Sequence, residues 1–409
     1  MEYIFSNKVQ PLKPSAIREI FKSLTDPEVI SFAAGNPSPE SFPVEAMQRF
    51  ANEIFEDCPN VALQYGITEG YAPLRTAVLE RCRNKFNSVK DGDNVLITTG
   101  GQQGIDLATK VLCNEGDSVI CENPTFIGAL NAFRSFGAVP VGVDMDDDGI
   151  NIEKLEKAVR EANNPKILYL IPTFQNPTGR TMSLEKRKAC LEIAKKYGLI
   201  ILEDNPYGEI RFSGEDVPTI KSMDTEGRVI YCSSFSKILS AGMRVGFVVC
   251  NDELMTKMAV CKQVSDVHTN LFFQMICHKF LTEYDLDSHI EGIKDIYRKK
   301  SSLMISCLEE KLPGEIKFTR PEGGLFIWAC LPKDYDVMPL VKMLTANKLA
   351  VVPGGTFNCN TEDMSSGFRM NYSTPTDEQI IKGVDILAAQ CREYLAQRKI
   401  LKELKGMIS

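Results

Sequence analysis

The run Ser233-Ser234-Phe235-Ser236-Lys237-Ile238-Leu239-Ser240-Ala241-Gly242-Met243-Arg244 is the segment of this chain best equipped for covalent chemistry. It carries hydroxyls, one amine and, seven positions after the amine, a guanidinium. That set suits a dianionic phosphate standing beside an aldehyde. Ser234 and Ser236 offer hydrogen bonds, Arg244 offers a planar fork to phosphate oxygens, and Lys237 can condense with the carbonyl. Taken alone, the run has a plain alternative: a solvated lysine that follows a buried strand.

Three further turns bear on the choice. Leu199–Asp204 is an apolar run ending in acid, followed by Asn205-Pro206-Tyr207. A carboxylate there is ordinarily a cap or a turn residue. A pyridinium ring, however, needs a buried anion to keep its nitrogen protonated, and Asp204 stands where one is wanted. Tyr207 could then hydrogen-bond a phenolic oxygen on that ring. Ile171–Gly179 runs into an Asn-Pro turn, which is good turn chemistry in its own right and presents Asn176 to the same oxygen or to a substrate. Thr98-Thr99-Gly100-Gly101-Gln102-Gln103-Gly104 joins a strand to a helix, where glycines admit a close anion and the helix start offers free N–H groups. By itself that turn suits a nucleotide equally well, but the full dinucleotide fingerprint and GxxxxGK[ST] are both missing.

The elements that must position these groups read as an α/β protein. Asn94–Thr99, Ser118–Glu122, Val139–Asp144, Ile167–Pro172, Leu199–Asp204, Val229–Ser234 and Val245–Cys250 have the apolar continuity of buried strands. Helical patterns such as Gln102–Cys113 and Ser183–Tyr197 lie between them, the latter started by Ser183 and stopped by Gly198. This rhythm predicts a mostly parallel seven-stranded sheet covered by helices on both faces. Residues 252–311 read as helical throughout. The last hundred residues predict a smaller α+β unit with strands at Ile316–Thr319, Phe326–Leu331 and Phe368–Tyr372. The expected organisation is an N-terminal arm over 1–45 with a short helix after Pro14, a large cofactor-binding domain over 46–285, and a small domain over 286–409.

Composition excludes several classes. A net charge of −7, with acids and bases mixed, argues against binding a phosphate backbone. No stretch of about 18 apolar residues occurs, and the start lacks the form of a secretory signal. Thirteen scattered cysteines without a CxxC pair point to reduced thiols in a cytoplasm. The three histidines lack metal-ligand spacing, so no metal is expected.

Read in order, these motifs resemble the class I/II aminotransferases of fold type I, the aspartate aminotransferase fold, and within them the branch of α-aminoadipate (kynurenine) aminotransferases and MocR-like catalytic domains. The resemblance spans essentially the whole chain. It rests on Ala34-Gly35-Asn36-Pro37 with Phe42-Pro43, Tyr65-Gly66, Gly70–Arg75, Asn176–Gly179, Asp204–Tyr207, the Ser-Phe-Ser-Lys run, Pro321–Trp328 and Phe368–Asn371. It implies pyridoxal 5′-phosphate held by Lys237 as a Schiff base, with Lys237 moving the substrate's Cα proton. Asp204 would pair with the ring nitrogen, and Asn176 and Tyr207 with the phenolic oxygen. Gly101, Gln102, Ser234, Ser236 and Arg244 would hold the phosphate, and Phe126 would stack on the ring, where relatives commonly place Tyr. Arg369 would clamp the substrate α-carboxylate beside Gly35, and Tyr65 would reach the phosphate of the neighbouring subunit in a homodimer with shared sites. Arg18, in the segment that covers the site in this branch, is a candidate contact for a substrate side chain, with a surface arginine as the alternative.

The reaction so implied is amino transfer between an L-amino acid and a 2-oxo acid, over aromatic or 2-aminoadipate-like donors with glutamate/2-oxoglutarate as a partner pair. The same residues also serve a β-carbon–sulfur lyase. A non-enzymatic cofactor-binding effector domain is a further alternative, disfavoured by the acidic balance and by the expectation that no winged-helix module precedes the arm. A nicotinamide dehydrogenase would leave Lys237 and Arg244 without a task.

Overall fold

The computed structural model describes residues 3–10, 12 and 26–406, with side chains as far as Ile400. Arg18 and the expected helix after Pro14 lie outside the described residues. The first strand, β1 (Ile30–Ser31), is followed by β2 (Asp93–Thr98), β3 (Ser118–Asn123), β4 (Val139–Asp146), β5 (Gly149–Ile150), β6 (Pro165–Leu170), β7 (Ile200–Asp204), β8 (Val229–Ser234) and β9 (Gly246–Asn251). Strands β2 to β9 form one sheet in the order β2-β9-β8-β7-β6-β3-β4-β5. All seven expected runs are strands, each within two residues of its anticipated ends. The eighth, β5, corrects the expected count: Asp147 and Asp148 turn the chain back, so that Ile150 pairs antiparallel with Met145.

Alternation along the strands explains why both faces are covered. Val119 and Cys121 pack in one apolar cluster with the helices Gly101–Leu112 and Ile127–Ser135, while Ile120 between them packs in another with Ile152–Glu161 and Leu184–Tyr197. Tyr169 and Leu202 face the first cluster; Leu168 and Ile201 face the second. The period of two therefore buries both faces of these strands along most of their length, which is why they read as unbroken apolar runs. The helix Leu184–Tyr197 starts where Ser183 Oγ accepts from the Lys186 N–H, and stops at Gly198, whose φ of +73° is the left-handed conformation glycine adopts freely.

Strands β8, β7, β6, β3 and β4 run parallel, β9 and the short β5 oppose them, and β2, antiparallel to β9, runs with the majority. Six carboxyl ends consequently open on one edge of the sheet, the place where open α/β folds bind ligands. Beyond β9 come the helices Asp252–Asp266, Leu271–Thr282 and Leu286–Lys311, filling the stretch that shows no strand pattern.

The second sheet comprises β10 (Lys317–Phe318), β11 (Phe326–Cys330), β13 (Val352–Pro353) and β14 (Gly367–Asn371), in the order β10-β11-β14-β13, while β12 (Leu349–Ala350) pairs in parallel with β1. Asn371 N donates to Phe32 O at 2.7 Å, so the chain just after β1 runs along the edge of β14. That seam places Ala33, Ala34 and Gly35 next to Arg369, at the centre of β14.

Candidate active site

Lys237 follows β8 at the end of a single 3-10 turn, Phe235–Lys237, whose start is capped by Ser234 Oγ accepting from Ser236 N–H at 3.1 Å. The turn aims the amine back across the strand ends, where Lys237 Nζ donates to Gly35 O at 2.8 Å. It also stands 6.0 Å from the centre of the Tyr207 ring. Burial, reinforced by the positive charges of Arg369 and Arg244, lowers its pKa to about 8. An amine that is neutral in an appreciable fraction near neutrality is a competent nucleophile and base.

Asp204 closes β7, buried, and accepts from the Tyr169 hydroxyl at Oδ2, 2.8 Å away. Burial raises its carboxyl to about 7, with the Tyr169 hydrogen bond acting against the rise. Oδ1 has no hydrogen-bond partner among the described residues. Three residues on, Tyr207 is buried and held above the usual tyrosine range by burial, with Asn176 hydrogen-bonded to it.

Arg369 is buried in β14, opposite Trp328 and Val352. Its Nη1 donates to Asn176 Oδ1 at 2.9 Å and its Nη2 to Ala33 O at 2.8 Å, while Nε is buried without a partner. Phe326 and Phe357 lie against the guanidinium, with ring centres 4.2 and 5.1 Å from its carbon. Burial lowers its pKa to about 10, so it remains a cation at neutral pH. A desolvated fork with a spare donor suits a carboxylate.

A second group gathers where β2 meets its helix. Gly100, at φ +75°, precedes the helix Gly101–Leu112, whose first N–H groups have no intrahelical acceptors. Any Cβ on Gly100 would stand 2.3 Å from Arg244 Nη2, so the arginine lies directly on this turn. Arg244, itself at φ +55°, donates to Ala241 O at 3.3 Å and makes no ion pair among the described residues. Ser234 and Ser236 hydrogen-bond each other at 2.8 Å. Gln102 donates to Gly128 O at 2.9 Å, and a Cβ on Gly128 would collide with both Gln102 and the Phe126 ring, which sets that ring beside the Gly100–Gln102 turn.

Sequence reasoning thus named most of what the fold assembles: Lys237, Asp204, Tyr207, Asn176, Arg369 and Gly35 around the amine, and Gly101, Gln102, Ser234, Ser236, Arg244 and Phe126 beside them. Tyr65 is not among them within one chain; it is four-fifths exposed, with its ring edge-on to His268. The reading missed Tyr169 and the two phenylalanines on Arg369, and it held Gly100 only as part of the glycine turn. Tyr169 carried a usable signal, since a hydroxyl inside a fully buried run must find a partner.

A family model for aminotransferase class I and II matches residues 27–387, and the chain belongs to that family. It is 41% identical over 398 residues to the aromatic-amino-acid aminotransferase 1 of Thermococcus litoralis, covering 96% of this chain and 95% of that one. It is 38% identical to the 2-aminoadipate transaminase of Thermus thermophilus, over 94% and 96% of the two chains. The crystal structure of Pyrococcus horikoshii kynurenine aminotransferase in complex with PMP superposes with a TM-score of 0.92 at 36% identity, covering 96% and 97%. The protein is a pyridoxal-phosphate-dependent aminotransferase of fold type I. Its residues fit that cofactor: a buried, partly neutral amine and, among the described residues, a buried carboxylate with one oxygen unbonded and an arginine without an anionic partner on a glycine turn at a helix start.

Proposed function

We propose that Lys237 would hold the aldehyde carbon of pyridoxal 5′-phosphate through its side-chain nitrogen and that its amine, when free, would carry the proton away from the Cα of an L-amino acid. The bound cofactor supplies an electron sink for that carbon. Asp204 keeps the ring nitrogen protonated through Oδ1; Tyr207 and Asn176 hold the phenolic oxygen; Phe126 covers the ring. Gly101, Gln102, Ser234, Ser236 and Arg244 hold the phosphate. Arg369 orients the α-carboxylate, with Asn176 and Gly35 at its side. The single observation that carries this reading is the buried Lys237 amine, bonded to a backbone carbonyl rather than to a carboxylate, in the middle of these groups.

The names of the relatives support aromatic and 2-aminoadipate-like donors; glutamate/2-oxoglutarate as the partner pair is what the family resemblance implies. An organisation into an arm over 1–45, a cofactor domain over 46–285 and a small domain over 286–409 is supported by Asp285, which caps the helix beginning at Leu286. The thirteen free thiols support a cytoplasmic setting. A homodimer in which Tyr65 completes the neighbour's phosphate site is supported by an exposed apolar patch. Leu63, Tyr65, Ile67, Val260, Val264 and Val267 are all exposed, and Tyr65 touches His268 while Gly66 lies against Leu271.

Borohydride reduction of the yellow holoenzyme followed by peptide mapping should tag Lys237, and Lys237→Ala should lose both the tag and amino transfer. A tag on another lysine overturns the assignment. Sedimentation should show a dimer, and a panel of donors against 2-oxoglutarate and pyruvate identifies the substrates.

A further inference from the structure

Two carboxyl groups, not one, are buried behind the site. Glu122, in β3, is fully buried; its Oε2 accepts from Ile171 N at 3.0 Å and from Gln175 Nε2 at 3.4 Å, and its Oε1 has no partner. Burial raises its pKa to about 8, with the Asp204 charge contributing to the rise. The two lie on opposite faces of the sheet, Glu122 with Ile120 and Asp204 with Leu202, and a buried carboxylate such as Asp204 holds its charge best where a donor reaches it.

That donor is Tyr169. In the parallel register of β6 and β7, Tyr169 lies opposite Leu202, on the same face of the sheet. Asp204 is two residues beyond Leu202 and therefore shares that face, within reach of a long side chain on the diagonal. The ring is fixed edge-on by Phe133, with centroids 5.5 Å apart. Its hydroxyl, in an otherwise apolar cluster, is spent on Asp204 Oδ2 and on no backbone carbonyl. As a mere core filler, phenylalanine would suit this position equally well.

We propose that Tyr169 is a positioning residue that holds Asp204 as a charged carboxylate and thereby keeps the proton on the cofactor's ring nitrogen. The inference rests on the assignment of Asp204 to that nitrogen. Carboxylate and nitrogen share one proton; a hydrogen bond donated to the carboxylate stabilises its anion and leaves the proton on the ring. Losing a donor to a charged group shifts that partition by about tenfold or more toward the carboxyl.

The test is the ¹⁵N resonance of holoenzyme loaded with cofactor labelled at the ring nitrogen. In the unsubstituted enzyme the resonance should lie in the protonated pyridinium range. In Tyr169→Phe it should move toward neutral pyridine, with kcat about tenfold lower and KM for the donor within about twofold. 3-Fluorotyrosine at position 169, a stronger donor of the same shape, should leave the resonance protonated, and it keeps the test available should the phenylalanine variant fail to fold. A well-folded Tyr169→Phe enzyme with an unmoved resonance overturns the role of Tyr169 while leaving Asp204 in place. An unprotonated ring in the unsubstituted enzyme overturns the Asp204 assignment and this inference with it.

Discussion

Arg369 Nη1 donates to Asn176 Oδ1 at 2.9 Å. Arg369 belongs to the four-stranded sheet and Asn176 to the turn after β6, so one hydrogen bond joins the two sheets inside the site. Together with Ala33 O, it fixes the guanidinium plane before any substrate arrives, and two phenylalanine rings hold that plane. A pre-oriented fork loses little freedom on meeting a carboxylate.

Arg369→Lys should therefore lower kcat/KM for every amino donor by about a hundredfold, the loss of a charge-assisted pair in a dry site being about 2–3 kcal/mol. The loss should be the same for aromatic and acidic donors. Steady-state kinetics on one donor of each kind checks it, and a loss confined to one kind would remove Arg369 from the α-carboxylate.

Gly100→Ala should weaken cofactor binding at least tenfold, because the new Cβ would stand 2.3 Å from Arg244 Nη2 and drive the arginine off the turn. The positive φ adds a stability cost of about 1–2 kcal/mol. Equilibrium dialysis of the cofactor and melting of the cofactor-free protein separate the two effects. Unchanged cofactor affinity would show that Arg244 has no part in holding the phosphate.

The pKa of Lys237, lowered to about 8, fixes a pH profile. The rate at which cofactor-free protein captures pyridoxal 5′-phosphate should rise from pH 7 to 9, as the amine loses its proton, and then level off. Arg369→Gln removes the largest neighbouring charge that lowers this pKa and should move the midpoint upward. Stopped-flow absorbance gives both curves; coincident midpoints would exclude the Arg369 contribution.

Asp204 sets a pH trend in stability. In the cofactor-free protein, burial raises its carboxyl from 3.8 to about 7, so the folded chain holds this proton more tightly than the unfolded chain does. The resulting stabilisation is fully present below about pH 4 and is lost as pH rises through about 7. Cofactor-free Asp204→Asn should accordingly match the parent near pH 4 and melt at higher temperature at pH 8. Thermal melts at the two pH values decide it; equal melting temperatures at pH 8 would sink the claim.

The order of the motifs along the chain was enough to read much of this site. Lys237, Asp204, Asn176 and the Gly100–Gln102 turn each follow an apolar run, and a run with both faces buried announces itself in composition alone. Strand β5 was not legible, because two residues carry no periodicity and form only where a turn returns them to β4. Strand β13, lying beside Arg369, is equally short and depends on its partner β14.

What local sequence determined was therefore which polar groups stand at the strand ends and the strands that lead to them, since burial pattern and turn chemistry act over a few residues. Which carboxyl receives the Tyr169 hydroxyl was settled only in three dimensions. Glu122 and Asp204 are both acids on buried strands, and only the pairing of β6 with β7 brings the Tyr169 hydroxyl to one of them. The same holds for the Lys237 contact with Gly35 and the Arg369 contact with Asn176, which span 202 and 193 residues. Contacts at such separation follow from how the sheets pack, and no short window of sequence encodes them.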